Sequence, residues 1–493
     1  MSRPLACLPL LLSLSLLLSA LAPCQAKPHP SASIPALLNE ADGYRFAFQY
    51  DPPRIPYIII QVSINGKPPL PFMLDTGTDV PVTIDKEAAQ GLGLPMTAFN
   101  GRGNGGRVSF ARATTVRSVH FLGLTGGRNF GFTGAGAVVV DLALLKERLP
   151  WIKLAGVVGV TSLDKFTVRL DFSHKILTLY LKPHPPISIT GATAVPLIEL
   201  KNEHRHFVLV SPSQGVSTYL LLDTGSVETS LPLPIANKIR STPRIGLATG
   251  LLGTYYISQA LLLPKMKVGD AVIYEFEVGS SPTLAYRTLG IDLLSCFRVT
   301  LDFPHHQMFL ERAADRPYRL HGWVGISLKP DGNDFRVRSV EPGSPAAVAG
   351  LQVDDKVLSI DDQPLQGLSV EAAKTLRDDP AGTRTTFLIQ RGESKPFPLS
   401  FVAASLFAAP PDIKTGLVAE KPDKQPVSVI QVEEGFPAQK AGLMAGDTIT
   451  EIDGVPSESL SLDQTNDAFG KDKLTLTVRR AGEAKPRTII LVK

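Results

Sequence analysis

The chain has 493 residues, which is too long for one ordinary core and predicts three or four domains. Its hydrophobic content of 44% and charged content of 19% are those of a folded protein, and they exclude a chain that is disordered over most of its length. The formal net charge of +4 is small and dispersed, without a block of Lys and Arg, so the sequence predicts no nucleic-acid partner.

The N-terminal segment has the pattern of a secretory signal. Arg3 precedes an apolar run over residues 8–21, and small residues follow it. We therefore expect residues 1–26 to be a signal peptide and residues 27–43 a linker, in an exported protein that is periplasmic or secreted. No transmembrane span is expected in the mature chain. The residues before Cys24 loosely resemble a lipoprotein box, so a membrane-anchored lipoprotein stays open as an alternative.

Only one of the three cysteines lies outside the predicted signal. That residue, Cys296, would have no internal partner for a disulfide, which favours a bacterial exported protein over a eukaryotic secreted one. Its apolar neighbours predict a packed side chain rather than a nucleophile.

Two mostly β units are predicted after the linker. Short alternating or apolar runs broken by Gly, Pro and Asn extend over residues 44–185, with one helix near residues 142–149. A Pro-rich stretch ends this unit, and a second β unit covers residues 195–313.

The two β units repeat one another, which is the strongest indication of the fold. Each contains Asp-Thr-Gly after an apolar strand, at residues 75–77 and 223–225. A glycine with an alternating run follows in each unit, at Gly106 and Gly253. An apolar triplet that ends in Gly comes next, and each unit closes with a strand that ends in Asp-Phe. The triplets are residues 157–159 and 288–290, and the closing strands are residues 166–172 and 297–303.

Asp75 and Asp223 carry the chemistry that this repeat predicts. Two carboxyl groups held a few ångströms apart cannot both ionise, so they share a proton. The ionised member removes a proton from water while the protonated member donates to the carbonyl of a peptide bond. Such a pair titrates as a unit, so neither residue is assigned a fixed acid or base role.

Six neighbouring residues are predicted to support the pair. The glycine of each motif allows a sharp turn that brings backbone N–H groups to the carboxylates. The residue after each glycine has a hydroxyl that can hydrogen-bond the carboxylate, and the threonine before each glycine could tie the two loops together. The six are Thr76, Gly77, Thr78, Thr224, Gly225 and Ser226.

These motifs resemble those of the pepsin and retropepsin superfamily of aspartic peptidases, over residues 44–312. The resemblance implies a mainly β fold, with the two lobes of a pepsin-like or retropepsin-like acid protease built as β-barrels. It implies that Asp75 and Asp223 are the catalytic acids of an aspartic endopeptidase that acts on polypeptide substrates. It also implies that Thr76 and Thr224 interlock between the lobes.

The same resemblance implies a β-hairpin flap over the cleft. Residues 101–108 are the candidate, with Asn104, Gly105 and Gly106 at the turn, because Asn-Gly is a hairpin signal. The glycine spacing there also satisfies a dinucleotide-binding pattern, but alternation rather than a helix follows it, so no cofactor is predicted.

Two histidine clusters invite a metal site. Residues 204–206 (His-Arg-His) and residues 305–306 (His-His) have no third ligand at useful spacing. The sequence therefore predicts no metal and indicates solvated loop histidines instead.

A second repeat of another kind covers the C-terminal region. Residues 339–362 are echoed by residues 431–454, and a strand, a short helix that ends in Gly, a tight turn and another strand fit each copy. The sequence predicts two small α+β modules. They are similar to bacterial PDZ domains and cover residues 318–404 and 412–493.

The resemblance implies that each PDZ module adds an extended peptide, commonly a protein C-terminus, as an extra strand beside a carboxylate-binding loop. A purely structural role, in fixing lobe orientation or dimer contacts, is the competing hypothesis. The predicted loop residues are Trp323, Val324, Gly325 and Ile326 in the first module, and Gly416, Leu417 and Val418 in the second.

Two alternatives to a single-chain protease stay open. A non-catalytic peptide-binding scaffold that retains both aspartates would have the same landmarks. Each lobe could also pair with a lobe of another molecule.

Overall fold

The computed structural model describes most of the chain after the predicted signal. Within these residues no helix is long and apolar enough to cross a membrane. The predicted signal peptide and nearly all of the predicted linker lie outside them, so the exported location stays a prediction. The described residues are 42–98, 111–124, 129–181, 186–199, 205–239, 244–249, 255–281, 287–314, 316, 318, 320–376, 379–408, 417–421, 424–432, 436–460, 464–465, 468–469, 471, 473–483 and 485–492.

The first repeat unit folds as a β lobe. Its strands are β1 (Tyr44–Ala47), β2 (Gln49–Asp51), β3 (Ile55–Ile64), β4 (Leu70–Asp75), β5 (Val82–Asp85), β6 (Thr97–Ala98), β7 (Ala111–Phe121), β8 (Phe130–Val140), β9 (Gly156–Gly159), β10 (Thr167–Asp171) and β11 (Ile176–Tyr180). Its helices are α1 (Lys86–Gly91), α2 (Ala143–Arg148) and a 3-10 turn at Val160–Ser162. The main sheet has the order β2-β3-β4-β9-β5-β8-β7-β6, and α2 is the helix expected near residues 142–149.

The second repeat unit folds as a matching lobe. Its strands are β12 (Thr193–Glu199), β13 (His206–Ser213), β14 (Val216–Leu222), β15 (Ser230–Pro232), β16 (Arg244–Thr249), β17 (Tyr255–Val268), β18 (Ala271–Ser281), β19 (Thr288–Leu289), β20 (Phe297–Asp302) and β21 (Gln307–Arg312). Its helices are α3 (Leu233–Ala236), α4 (Ile291–Leu294) and a 3-10 turn at Phe303–His305. Buried apolar residues of both lobes form one continuous core.

A shared sheet joins the two lobes. It runs β1-β11-β10-β20-β21-β12, so β10 of the first lobe pairs with β20 of the second. These are the strands that close the two repeat units. They pair antiparallel with Arg169 opposite Thr300, and these two residues occupy the same position in the repeat. The local two-fold axis of the lobes therefore passes through this pair.

Matching contacts lie at the two ends of this strand pair. The hydroxyl of Thr167 donates to Oδ1 of Asp302 at 2.9 Å, and both residues are fully buried. At the other end, Nε of Arg298 donates to Oδ2 of Asp171, also at 2.9 Å. The aspartate that ends each strand thus bonds to a residue in the first two positions of the facing strand.

A separate apolar cluster supports the first lobe from the side of α2. The apolar face of α2 and its flanks packs against Met73 of β4 and Val157 of β9. Cys296 belongs to the continuous core, where it is partly buried, and burial raises the pKa of its thiol to about 12. This agrees with the packed, unreactive thiol that the sequence indicates.

The third unit is a small α+β domain. Its strands are β22 (Gly322–Trp323), β23 (Ile326–Asp331), β24 (Asp334–Val340), β25 (Lys356–Ile360), β26 (Gln363–Pro364), β27 (Arg384–Gln390), β28 (Phe397–Val402) and β29 (Ala404–Ser405). Its helices are α5 (Pro345–Val348), α6 (Val370–Thr375) and a 3-10 turn at Leu406–Ala408. The sheet order is β23-β24-β25-β27-β28, which leaves β23 at an edge.

The fourth unit repeats the third. Its strands are β30 (Leu417–Glu420), β31 (Val427–Val432), β32 (Thr448–Ile452), β33 (Val455–Pro456), β34 (Lys473–Arg479) and β35 (Arg487–Val492). Its helical elements are α7 (Pro437–Lys440) and a 3-10 turn at Ser457–Ser459. The order β30-β31-β32-β34-β35 places β30 at the edge that β23 occupies in the third unit. The mainly β fold with two small α+β domains is thus confirmed.

One buried ion pair is common to the third and fourth units. Arg391 bonds to Asp355 at 2.7 Å, and Arg480 bonds to Asp447 at 2.7 Å. Both aspartates are 1% exposed. In the turn before the first pair, Asp354 has the positive φ that Gly446 has in the second copy, so the same turn forms without the glycine.

Candidate active site

Each Asp-Thr-Gly motif follows a strand in which the three residues before the aspartate are buried. Strand β4 ends at Asp75 and runs parallel to β9, with Asp75 opposite Gly159. Strand β14 ends immediately before Asp223 and runs parallel to β19, with Leu222 opposite Leu289. The Gly-ending triplet of each repeat therefore lies beside the strand that carries the acid, and it gives both acids a rigid, poorly solvated base.

The two acids meet at the junction of the lobes. A Cβ atom built on Gly77 would lie 2.4 Å from Cγ of Asp223, and one on Gly225 would lie 2.4 Å from Cγ of Asp75. Each carboxyl group therefore lies against the glycine of the opposite motif. The two carboxyl groups also hydrogen-bond to each other.

Four hydrogen bonds interlock the two motifs. The hydroxyl of Thr76 donates to the carbonyl of Leu222 at 2.8 Å and accepts from the backbone N–H of Thr224 at 3.1 Å. The hydroxyl of Thr224 makes the reciprocal bonds, to the carbonyl of Leu74 at 2.8 Å and from the N–H of Thr76 at 3.1 Å. Both threonines are at most 2% exposed, so these bonds are shielded from water.

Backbone amides at each motif point at the carboxyl groups. The N–H of Gly77 donates to Oδ1 of Asp75 at 2.8 Å, and the N–H of Gly225 donates to Oδ1 of Asp223 at 2.9 Å. These bonds fix the orientation of each carboxyl group and favour its ionised form.

The residues after the two glycines act through their backbone. The amides of Thr78 and Ser226 hydrogen-bond to the carboxyl group of their own motif. The hydroxyl of Ser226 lies instead 2.8 Å from the carbonyl of Glu228, to which it donates, and 3.0 Å from Oγ1 of Thr288. The expectation that this hydroxyl binds the carboxylate is therefore wrong, because the hydroxyl donates its hydrogen bond to the carbonyl of Glu228 instead.

The electrostatics of the pair favour one shared proton. Burial raises the pKa of Asp75, and hydrogen bonds from Asp223 and from backbone amides partly offset that rise. Burial also raises the pKa of Asp223, and the negative charge of Asp75 raises it further. With one member ionised, the other is held protonated.

This arrangement predicts a pH dependence of both activity and stability. As the pH rises through the upper pKa of the pair, the shared proton is lost and kcat should fall. As the pH drops through the lower pKa, no carboxylate remains to accept a proton, and kcat should fall again. A pKa raised in the folded state contributes stability that is complete below the unfolded value of about 3.9 and is lost as the pH rises through the folded value.

The measurement is a pH–rate profile together with urea unfolding between pH 3 and 8. In the Asp223→Asn variant the free energy of unfolding should fall less over that range than in the wild type. A wild-type stability that increases steadily with pH would contradict a shared proton.

One partly buried acid near the site was not predicted from the sequence. Asp292, in α4, accepts from the backbone N–H of Thr229 at 2.9 Å and from its hydroxyl at 2.7 Å. Burial raises the pKa of Asp292 to about 6. The equivalent position in the first lobe is Thr161, whose hydroxyl donates to the carbonyl of Asp79 at 2.9 Å. The residue two positions after each Gly-ending triplet thus anchors the loop that follows the Asp-Thr-Gly motif.

Neither the predicted flap nor the whole of the two histidine clusters falls within the described part of the chain. Asn104, Gly105 and Gly106 lie outside the described residues. His206 is not a solvated loop residue, since it lies at the start of β13, is 3% exposed, and stacks on Phe303 with ring centroids 4.7 Å apart. Over the part of the chain that the structure describes, no three His, Cys, Asp or Glu side chains are grouped to hold a metal ion.

The predicted peptide-binding loop of the third unit precedes its edge strand. Trp323 lies in β22, Val324 is buried, and Ile326 begins β23. Gly325 has φ +75°, and a Cβ atom there would lie 2.1 Å from Cβ of Ser344, so both the turn and the close approach require glycine.

The corresponding loop of the fourth unit is partly described. Gly416 lies outside the described residues. Leu417 begins the edge strand β30, and Val418 lies in it, opposite Gln431. The assignment of both loops to peptide binding stays a prediction.

Comparison with known families agrees with this architecture. Residues 60–148 match the aspartyl protease family model, and residues 336–391 and 412–479 match PDZ domain models. The chain thus combines an aspartyl protease domain with two PDZ domains, which confirms the resemblance stated from the sequence. The protease match contains Asp75, whereas Asp223 is placed in the site by the geometry.

Individual relatives cover only parts of the chain. A protein of Neisseria meningitidis named as a zinc metalloprotease is 33% identical over 150 residues, which is 30% of this chain. The chain spans 33% of that relative's length. The PDZ domain of a carboxy-terminal protease from Vibrio cholerae, solved with a peptide, matches at 20% identity and a TM-score of 0.17, and covers 18% of this chain and 96% of that one. A PDZ domain protein from Parabacteroides distasonis matches at 20% identity and a TM-score of 0.15, over 16% of this chain and 19% of that one.

Proposed function

We propose that this protein is an aspartic endopeptidase, in which a water held between Asp75 and Asp223 hydrolyses peptide bonds. The PDZ domains bind substrate or partner peptides. The observation that carries the proposal is the reciprocal packing of each carboxyl group against the opposite glycine, on loops that are interlocked by buried threonines.

The pair supplies both proton transfers of amide hydrolysis. The ionised carboxylate takes a proton from water as the water oxygen attacks the carbonyl carbon, while the protonated carboxyl group donates to the carbonyl oxygen. The tetrahedral diol that forms then expels the amine. As the C–N bond breaks, the proton taken from water passes to the leaving nitrogen, and a hydroxyl proton of the diol returns to the other carboxylate. The pair ends with one proton, ready for the next cycle.

A metal-dependent mechanism is the alternative raised by the Neisseria meningitidis relative, whose name describes a zinc metalloprotease. The sequence contains no His-Glu-x-x-His segment, the helical motif that supplies two zinc ligands and a general base in many metalloproteases. The residue types at the junction of the lobes support carboxylate chemistry instead.

A digestion experiment tests this proposal. Casein and a peptide library should be cleaved by the wild type between pH 3 and 7, and Asp75→Ala should lower kcat by about 100-fold or more, because the pair loses one of its two proton carriers. A chelator should leave the wild-type rate unchanged.

The matched control is Asp79→Ala, which removes an exposed carboxylate four residues along the same loop. This variant should keep most of the activity. Cleavage that survives Asp75→Ala, or that the chelator abolishes, would contradict the proposal. Peptide binding without any cleavage would favour the non-catalytic scaffold.

A further inference from the structure

The first PDZ domain is attached to the first lobe at its helix α6. Trp151, three residues beyond the end of α2, packs against the apolar core of this PDZ domain. Helix α2 lies next to α6, and the hydroxyl of Ser369 donates to the carbonyl of Glu147 in α2 at 2.8 Å. The contact therefore combines an apolar anchor with a polar bond at the start of α6.

Trp151 packs against the same apolar core as residues of the edge strand and of α6. Strand β23 is at the edge of the PDZ sheet and contacts α6. Leu328 of β23 and Val370 of α6 are, like Trp151, partly buried residues that pack against the apolar core of this domain. An extended peptide that pairs with an edge strand places alternate side chains on such a surface.

We propose that Trp151 is an internal occupant of the apolar surface between β23 and α6, and that a peptide bound at the first PDZ domain displaces it. In the resting protein the indole covers part of the surface that the apolar C-terminal side chain of a peptide would take. Peptide binding therefore breaks the contact between this PDZ domain and the first lobe. The inference rests on the peptide-binding part of the proposed function and not on the chemistry of the acids.

The displaced segment adjoins the strands that carry the acid. Helix α2 and its flanks pack Leu142, Leu145 and Leu149 into the cluster that contains Met73 and Val157. Ile152, the neighbour of Trp151, packs against this same cluster, so the Trp151 segment adjoins the side chains that support β4 and β9. Displacement of Trp151 would therefore disturb the packing beneath the loop that carries Asp75.

A second attachment keeps the PDZ domain tethered when Trp151 is displaced. His321, just before β22, hydrogen-bonds through its ring to the buried carboxylate of Glu277 in the second lobe. Tyr318 stacks on Phe276 with ring centroids 4.1 Å apart. Release at Trp151 would therefore rotate the domain about its link to the second lobe and not free it.

The two tryptophans of the sequence make this displacement measurable, since they are Trp151 and Trp323. Trp323, in the predicted peptide-binding loop, is left in place, and a Trp151→Phe variant gives the emission of Trp323 alone, which is subtracted. Asp75→Ala in the same full-length chain keeps the peptides from being cleaved if the protease proposal holds. An array of peptides with free, apolar C-termini is the probe. Peptides that bind should shift the emission of Trp151 to longer wavelength, as the indole enters water.

The second arm measures peptide affinity by the anisotropy of labelled peptides on full-length Asp75→Ala protein. Trp151→Ala should tighten binding about fivefold to tenfold, because the peptide no longer has to displace the indole from the surface between β23 and α6. Ile152→Ala is the matched control, since this neighbour packs on the first-lobe cluster. It should leave affinity unchanged.

Two results would overturn the inference. The first is that peptides bind, but binding does not shift the emission of Trp151 and Trp151→Ala does not change the affinity. Peptides held by the second PDZ domain alone would give this result. The second is that no peptide of the array binds either the protein that retains Trp151 or the Trp151→Ala variant. The emission arm keeps Trp151 intact, so it decides the matter even if Trp151→Ala does not fold. Neither arm depends on proteolysis, so failure here is distinct from failure of the protease proposal.

Discussion

Gly77→Ala and Gly225→Ala are each expected to lower kcat by about 100-fold or more, the cost typical of moving a catalytic group by about 1 Å. A Cβ atom at either position would lie 2.4 Å from the Cγ of the aspartate in the opposite motif. That carboxyl group is held by backbone amides and cannot rotate away without losing them. The substitution should therefore push the acids apart and end their sharing of a proton.

The experiment compares kcat and the pH–rate profile of these variants with those of Gly91→Ala. Gly91 ends α1, and a Cβ atom there would meet no atom within 4 Å, so this control should match the wild type. In the two active-site variants the acidic and basic limbs of the profile should move closer together, as repulsion between the acids weakens. Wild-type kcat in Gly77→Ala would contradict the packing described here.

Thr76→Val is expected to lower the free energy of unfolding of the protease lobes by about 2–6 kcal/mol. Valine fills the same space, but it leaves the carbonyl of Leu222 and the N–H of Thr224 without the partners they have in the wild type. Each buried group that loses its partner costs about 1–3 kcal/mol. Thr76→Ser keeps the hydroxyl and should cost less than about 1 kcal/mol, mainly for the lost methyl group.

Urea unfolding of Thr76→Val, Thr224→Val and the double variant measures this interlock. The two threonines belong to one network, so the double variant should lose less stability than the sum of the single variants. Strict additivity, or a Thr76→Val protein as stable as Thr76→Ser, would show that the hydroxyl bonds do not hold the lobes together.

The architecture could be predicted from the sequence because the sequence contains two internal repeats. A doubled Asp-Thr-Gly with matched landmarks indicates two equivalent lobes, and equivalent acids at the ends of equivalent strands indicate a meeting point on the symmetry axis. The pairing of Asp75 with Asp223 could therefore be predicted from the sequence alone. The PDZ domains were recognisable for the same reason, since residues 339–362 and 431–454 share a pattern.

What escaped prediction depends on partners that are distant in sequence. The hydroxyl of Ser226 is drawn to a carbonyl two residues on, which competes with the carboxylate. Asp292 is 63 residues from Thr229, the residue it anchors, and His206 is buried by its contact with Phe303. Trp151 looks like an ordinary apolar residue after a helix, and only the packing of another domain reveals its contact.

The strand pair between the lobes has a consequence for biogenesis. Because equivalent positions of the two closing strands face each other, Arg169 opposite Thr300, the backbone pairing at this seam is one that two identical half-molecules can also form. During synthesis the first half emerges with this edge uncovered and open to a neighbouring nascent chain. Covalent linkage favours the correct pairing, because the effective concentration of the second half of the same chain is higher than the concentration of other chains.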